Sequence, residues 1–317
     1  MILALTGAAI GLVLGWLVIR QVEWAQVGEE LLDYPPALFV AGLVIILAST
    51  YFRALRWRVL YVDPRVRTVR LFLIENAAVG LNNVSPVRVL SEPVQVGLLT
   101  LRDRLSAGEV VATLGITRLL DLAVTVVALG TALVLVPAFR PFAPLLVLAT
   151  VASAVGIGLL FAATLGSSRL PMIKRLPLAT DAKAAIEALR RRPGRVLLSL
   201  GITLLHWGFV CLCAWVVSWG TEFRLDAAES IAVTLGALFF ATSVPGLPVA
   251  FGTFEFAILA LMEGLAVDAE TALTFALLLR VLLFVPQMVF AAVLLPREGV
   301  GSLNAIRMLR ERWVAHE

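Results

Sequence analysis

Two arginine–glutamate pairs lie inside apolar stretches of the sequence at nearly equal spacing. Glu92 precedes Arg118 by 26 residues, and Glu255 precedes Arg280 by 25 residues. An ionised side chain at membrane depth normally faces a partner or a water-filled path. A guanidinium group binds a carboxylate or a phosphate through two parallel hydrogen bonds, so these positions predict a site for an anionic group. The predicted substrate-binding residues are Arg88, Glu92, Arg118, Asp121, Glu255 and Arg280.

The same residues could instead form ion pairs that only lock helices together, and the sequence leaves this interpretation open. The two interpretations are compatible, because a lipid phosphate could displace a carboxylate from an arginine. The sequence contains no metal-ligand spacing, no nucleophile–base arrangement and no glycine-rich phosphate loop. We therefore predict no catalytic residue, no metal and no cofactor.

Proline-containing breaks come before both glutamates. The segments 71–83 and 92–101 are short, because thirteen helical residues reach only about 20 Å of a hydrocarbon core about 30 Å thick. They predict a re-entrant hairpin with its tip at 84–91, and a second tip at 244–252 is expected to enter from the opposite face. The predicted tip residues are Asn83, Ser85, Pro86, Pro245, Pro248 and Gly252, and the predicted cavity residues are Glu75 and Asn76.

The composition indicates a membrane protein. Of 317 residues, 60% are hydrophobic and 15% are charged, whereas soluble domains carry about 25% charged residues. Apolar runs of about 20 residues predict transmembrane helices. We therefore expect an all-α integral membrane protein with about six full transmembrane helices and two re-entrant hairpins. The predicted spans lie near 2–19, 36–52, 106–136, 141–165, 195–219 and 269–295.

Basic residues are concentrated on one side of the predicted spans. They occur mainly in 53–70, in 102–104, in 169–195 and after 296, whereas the loop 20–36 is mostly acidic. This bias predicts a multi-pass protein of the cell membrane with both termini in the cytoplasm. It also accounts for the pI near 9.6, so we predict no nucleic-acid partner.

One predicted cytoplasmic loop, 166–194, contains a stretch with amphipathic character. Residues 178–192 carry three consecutive arginines at their end and predict a helix that lies on the membrane surface. We expect these arginines to contact anionic lipid headgroups.

Two stretches of the sequence resemble each other and predict an internal repeat. Each begins with a helix-capping residue, Ser106 or Asp268, and continues to an arginine twelve residues later. An odd number of predicted crossings separates the copies, so they should have opposite orientations. We therefore predict an inverted repeat with units 71–136 and 227–296 within a single membrane domain of residues 1–317, as in many transporters.

These motifs resemble the flippase-like family built on the transmembrane region of lysylphosphatidylglycerol synthases. The resemblance covers about residues 36–296. In the first half it rests on Asn83, Pro86, Arg88 and Glu92, followed by Arg118 and Asp121. In the second half it rests on Pro248, Gly252 and Glu255, followed by Arg280. The chain departs from the family pattern at Ser91 and at Val249-Ala250, where glycines are usual, and it lacks the arginine that usually follows the first glutamate.

The resemblance implies a stand-alone member without the aminoacyl-transfer domain. It also implies movement of a phospholipid or a polyprenyl-phosphate-linked lipid between membrane leaflets, and we predict a lipid translocator rather than an enzyme. Two alternatives remain open: a non-catalytic membrane partner of a lipid-modifying enzyme, and a membrane-embedded transferase that acts on a lipid-linked donor. A homodimer is a further candidate assembly. The carboxylates available to a transferase are Glu75, Glu92, Asp121, Glu255 and Glu263.

Overall fold

A computed structural model describes residues 2–61, 63, 65–85, 90–144, 147–148, 150–151, 155, 177–243 and 250–299. Every regular element in these ranges is a helix. Among them, four helices are long and apolar enough to cross a membrane, namely Pro36–Leu60, Ala107–Leu135, Pro193–Ser218 and Ala269–Arg297. The prediction of an all-α, multi-pass membrane protein is therefore confirmed.

Eleven α-helices lie in the described ranges. In chain order they are α1 Ile2–Gln21, α2 Trp24–Asp33, α3 Pro36–Leu60, α4 Thr68–Val84, α5 Ser91–Leu101, α6 Ala107–Leu135, α7 Pro177–Arg190, α8 Pro193–Ser218, α9 Ala227–Ser243, α10 Thr253–Glu263 and α11 Ala269–Arg297. A 3-10 helix, Pro137–Phe142, follows α6. Most of the predicted span 141–165 lies outside the described residues, and so does the predicted loop up to residue 176.

The predicted span 36–52 is too short, because α3 continues to Leu60. We had expected Arg53 and Arg56 in a cytoplasmic loop, but both lie in the last part of this helix. The run of arginines does not end the helix, since arginine is a good helix former and these two side chains have buried partners. α3 begins at Pro36, where the fixed φ of proline suits the first turn of a helix.

Helix lengths recur along the chain. Helices α3 to α6 contain 25, 17, 11 and 29 residues. Helices α8 to α11 contain 26, 17, 11 and 29 residues. Both 29-residue helices begin at the predicted caps, because the side chain of Ser106 accepts a hydrogen bond from the Glu109 amide and that of Asp268 accepts one from the Thr271 amide. The recurring pattern therefore includes one more helix at the start of each unit than the sequence suggested.

The two 29-residue helices run in opposite directions. Arg102, just before α6, donates a 2.8 Å hydrogen bond to the carbonyl of Glu298, just after α11. At the other end, a Cβ atom on Gly264, before α11, would lie 3.6 Å from the carbonyl oxygen of Ala138, after α6. The start of each helix therefore lies close to the end of the other.

Close helix packing holds α4 against α11. A Cβ atom on Gly80 of α4 would lie only 2.0 Å from the carbonyl oxygen of Gln287 in α11, so a glycine is required there. The side chain of Asn83, at the end of α4, donates to the Gln287 side chain at 3.2 Å. Ser85 follows α4 directly, and its amide donates to Leu81. These contacts place the second half of α4 beside α11.

Candidate functional site

The central ion pair of the first unit joins α5 to α6. Arg118 donates a 2.6 Å hydrogen bond to Glu92, and the two side chains are 40% and 44% exposed. Ser91 donates to the other carboxylate oxygen of Glu92 at 2.6 Å. Arg118 is the twelfth residue of α6, which places it about 18 Å along the helix, near the middle of a hydrocarbon core about 30 Å thick. This pair is therefore partly exposed, and its arginine lies well inside a helix long enough to cross a membrane.

Asp121 binds mainly Arg56 and not Arg118, the arginine that its position in the sequence suggested. Both of its oxygens accept hydrogen bonds from Arg56, with Nη2 to Oδ2 at 2.9 Å, whereas Arg118 lies 3.9 Å away. The indole of Trp207 donates to Asp121 at 2.9 Å. The Arg56 side chain is only 2% exposed. The geometry is the bidentate arrangement that favours arginine at buried ion pairs.

A third arginine, Arg53 of α3, connects these ion pairs to α4. Arg53 lies 3.3 Å from Glu75 and donates to the side-chain oxygen of Asn76 at 3.0 Å. Asn76 in turn donates to the backbone of Phe72 at 2.7 Å. Glu75 is also close enough to Arg118 to interact electrostatically. Both predicted cavity residues therefore contact Arg53, and Glu75 also interacts with Arg118.

Together these contacts form a cluster of three arginines and three carboxylates on helices α3 to α6. We call it the first-unit cluster, and it consists of Arg53, Arg56, Glu75, Glu92, Arg118 and Asp121. Its formal charges balance among the described residues. Only the Glu92–Arg118 pair is substantially exposed, so an external group would reach the cluster there.

The corresponding pair of the second unit is closed. Arg280 forms an ion pair with Glu255, and the side chains are only 12% and 5% exposed. Arg280 also donates to the carbonyl of Ala250 at 3.2 Å, and its guanidinium lies 5.3 Å from the ring centroid of Phe251. The other Glu255 oxygen accepts a 2.9 Å hydrogen bond from the Gly252 amide. The pair has protein partners on several sides.

Helix α1 covers the start of α10. Gly252 has a φ of +80°, which favours glycine, and a Cβ atom there would lie 2.2 Å from the carbonyl oxygen of Gly11. The Phe251 ring lies 3.6 Å from the Cβ position of Gly15. The small residues of α1 therefore allow it to pack directly over this turn.

The structure brings the predicted site residues together in two groups. Glu92, Arg118 and Asp121 belong to the first group, and Glu255 and Arg280 form the second. Among the described residues no hydrogen bond or ion pair joins the two groups. Four predicted residues lie outside the described ranges: Pro86, Arg88, Pro245 and Pro248.

Sequence reasoning missed three side chains of the first-unit cluster and its surroundings. The charge pattern places Arg53 and Arg56 in the basic segment 53–70, and the sequence indicates no role for Trp207. A signal for the arginines was present, because they lie three residues apart on one helical face and alternate with apolar residues such as Ala54 and Trp57. In the described part of the chain, no group of three or more histidine, cysteine or acidic residues could hold a metal ion.

The four long apolar helices define a multi-pass helical membrane protein. The chain matches the family model described as "Lysylphosphatidylglycerol synthase TM region" over residues 4–311, and it belongs to that family. The predicted resemblance is therefore confirmed. Because the family is membrane-embedded and lipid-related, this is a lipid-related membrane protein. No curated protein matches the chain significantly.

Proposed function

We propose that the protein moves a phospholipid or a polyprenyl-phosphate-linked lipid between leaflets, as a translocator rather than an enzyme. The observation that carries this proposal is the Glu92–Arg118 pair, whose side chains are 44% and 40% exposed. The length of α6 would place this pair near the membrane centre. A charge at this depth is costly unless it serves a partner or a polar path. Such a cation at the midpoint of the route would stabilise a lipid phosphate that crosses the membrane.

Arg118 is the arginine best suited to exchange its partner. One hydrogen bond joins it to Glu92, and Asp121 lies 3.9 Å away with both of its oxygens already bound to Arg56. A phosphate could therefore replace Glu92 without breaking the buried Arg56–Asp121 pair. The displaced Glu92 would be free to bind an amine on the headgroup or to face water.

The recurring helix lengths support the inverted-repeat part of the proposal. Arg118 and Arg280 are each the twelfth residue of a 29-residue helix, and these two helices run in opposite directions. Both arginines would thus lie about 18 Å from opposite membrane faces. We propose that the units, including two re-entrant hairpins, rock within about six spans, so that Arg280 and Glu255 receive the headgroup in the opposite-facing state. Both termini would lie in the cytoplasm of a cell-membrane protein.

The test uses purified protein in vesicles with a fluorescent phospholipid that an added reductant bleaches only in the outer leaflet. Arg118→Ala should abolish the protein-dependent second phase of bleaching, because the headgroup loses its cation at mid-depth. Arg191→Ala is the matched control, since Arg191 is an exposed arginine paired with one carboxylate, Glu187. Unchanged transport by a folded Arg118→Ala protein would overturn the proposal.

The composition of co-purified lipids provides a second readout. Mass spectrometry should find one lipid class enriched on the wild type relative to the bulk membrane, and this enrichment should be lost in Arg118→Ala. Bulk composition on both proteins would favour a non-catalytic membrane partner of a lipid-modifying enzyme, or a homodimer with structural charges. The closed Glu255–Arg280 pair is the observation that favours the non-catalytic partner as a second candidate function. A chemically altered lipid after incubation would favour a transferase.

A further inference from the structure

A cavity outside the first-unit cluster lies at the base of the first hairpin, where α4 begins and α5 ends. Its volume is about 430 Å³. Three arginines line one part of it, and aliphatic side chains line the rest: Arg65, Arg67 and Arg70 on the basic side, and Leu73, Leu99 and Leu105 on the apolar side. The cavity is therefore amphipathic, and it shares no residue with the first-unit cluster.

The basic side has an excess of positive charge. Arg67 is exposed, and its side chain makes no hydrogen bond or ion pair with the described part of the chain. Arg65 is 78% exposed and is held by Asp63 outside the cavity lining. Arg70 is bound by Asp103, the one carboxylate in the lining, and by Glu298. At least one guanidinium is thus available to an external anion.

The backbone at the same place also favours an anion. Arg67 is the N-cap of α4 and provides no side-chain cap, so the first amides of this helix have no side-chain acceptor. Unsatisfied amides and the positive end of the helix dipole attract phosphate groups. Two independent features, the free Arg67 side chain and the uncapped α4 terminus, therefore meet at the cavity.

We propose that this cavity binds one anionic phospholipid of the leaflet that it faces. The phosphate lies between Arg67, Arg65 and the start of α4, and an acyl chain follows Val69 and Leu73. A lipid fits better than a free phosphate because most of the lining is aliphatic, and Val69 is 62% exposed beside the arginines. The occupant would also lie next to Arg70, which joins the first unit to Glu298 after α11.

The experiment measures binding of phosphatidylglycerol to the full-length protein in a neutral detergent by native mass spectrometry. The measurement is made on the Arg118→Ala variant, so that lipid bound at Arg118 of the proposed transport site does not contribute to the signal. A salt concentration of about 0.5 M screens diffuse surface attraction, because the screening length is then only a few ångström. Under these conditions Arg67→Ala should weaken phosphatidylglycerol binding about tenfold, as expected for loss of a charged hydrogen bond.

The matched control is Arg224→Ala, since Arg224 is also exposed and forms no hydrogen bond or ion pair within the described residues. It should leave the affinity unchanged. Equal losses in both variants, or no loss in Arg67→Ala and Arg65→Ala, would overturn the proposal. The proposal would also be overturned if inorganic phosphate or glycerol phosphate competed as strongly as the lipid, because the site would then recognise phosphate without the acyl chains. Binding is measured without transport, so failure of the translocation test would leave this result standing.

Discussion

Replacing Asp121 with alanine should destabilise the protein far more than replacing Glu92, although both carboxylates pair with arginines of the first-unit cluster. The Asp121→Ala variant leaves Arg56, which is 2% exposed, without its bidentate partner. Removing one member of a buried ion pair costs about 3–5 kcal/mol. The Glu92→Ala variant leaves Arg118, which is 40% exposed and still has Asp121 3.9 Å away, so its cost should be clearly smaller.

The measurement is reversible unfolding in mixed detergent micelles, followed by tryptophan fluorescence. The double replacement Arg56→Met with Asp121→Leu removes both buried charges and should recover most of the stability lost in Asp121→Ala, because no unpaired charge remains. Equal costs for Asp121→Ala and Glu92→Ala would refute the reasoning. So would a double variant that is as unstable as the single one, since the loss would then not arise from an unpaired arginine.

Two further predictions concern the packing between the units. Gly80→Ala should destabilise the fold by about 1–3 kcal/mol or more, because its Cβ would lie 2.0 Å from the Gln287 carbonyl oxygen. Gly97→Ala, with nothing within 4 Å, should be neutral or stabilising in the same micelle unfolding assay. Equal effects of the two substitutions would contradict the close contact. The Arg70 guanidinium lowers the pKa of Glu298 by hydrogen bonding, so this pair should stabilise the protein above the ordinary glutamate pKa of about 4.3 and lose its effect as the pH falls through the lowered value. Melting curves of wild type and Glu298→Gln should therefore converge in acid, and curves that remain equally far apart would contradict the pairing.

The positions of the principal ion pairs could be predicted from the sequence because charges are rare in apolar segments. Glu92 and Arg118, and likewise Glu255 and Arg280, stood at matching distances, and a buried charge has few other partners to choose from. The long helices could be predicted for a related reason. A run of apolar residues with a good cap has no stable alternative to a helix inside a membrane.

The partner of Asp121 could not be predicted in the same way. Arg118 is its neighbour along α6, yet Arg56 of α3 binds both of its oxygens across 65 residues of sequence. The choice depends on how closely α3 packs against α6 and α8. The run of arginines in 53–70 indicates a loop that begins before Arg56. A run of charges cannot distinguish a helix that continues from one that ends.

The sequence by itself determined the class of the molecule, its long helices, its repeated motif and the arginine–glutamate pairing within each unit. These features depend on local composition, capping and spacing, which any fold of this chain must respect. Only the tertiary structure decided that the first pair is 40–44% exposed and the second is closed. That difference arises because Ala250, Phe251 and α1 surround Arg280 and its turn, whereas Arg56 binds Asp121 and leaves Arg118 with an exposed partner. Burial is a property of neighbouring helices, and two similar stretches of sequence can therefore have different accessibility.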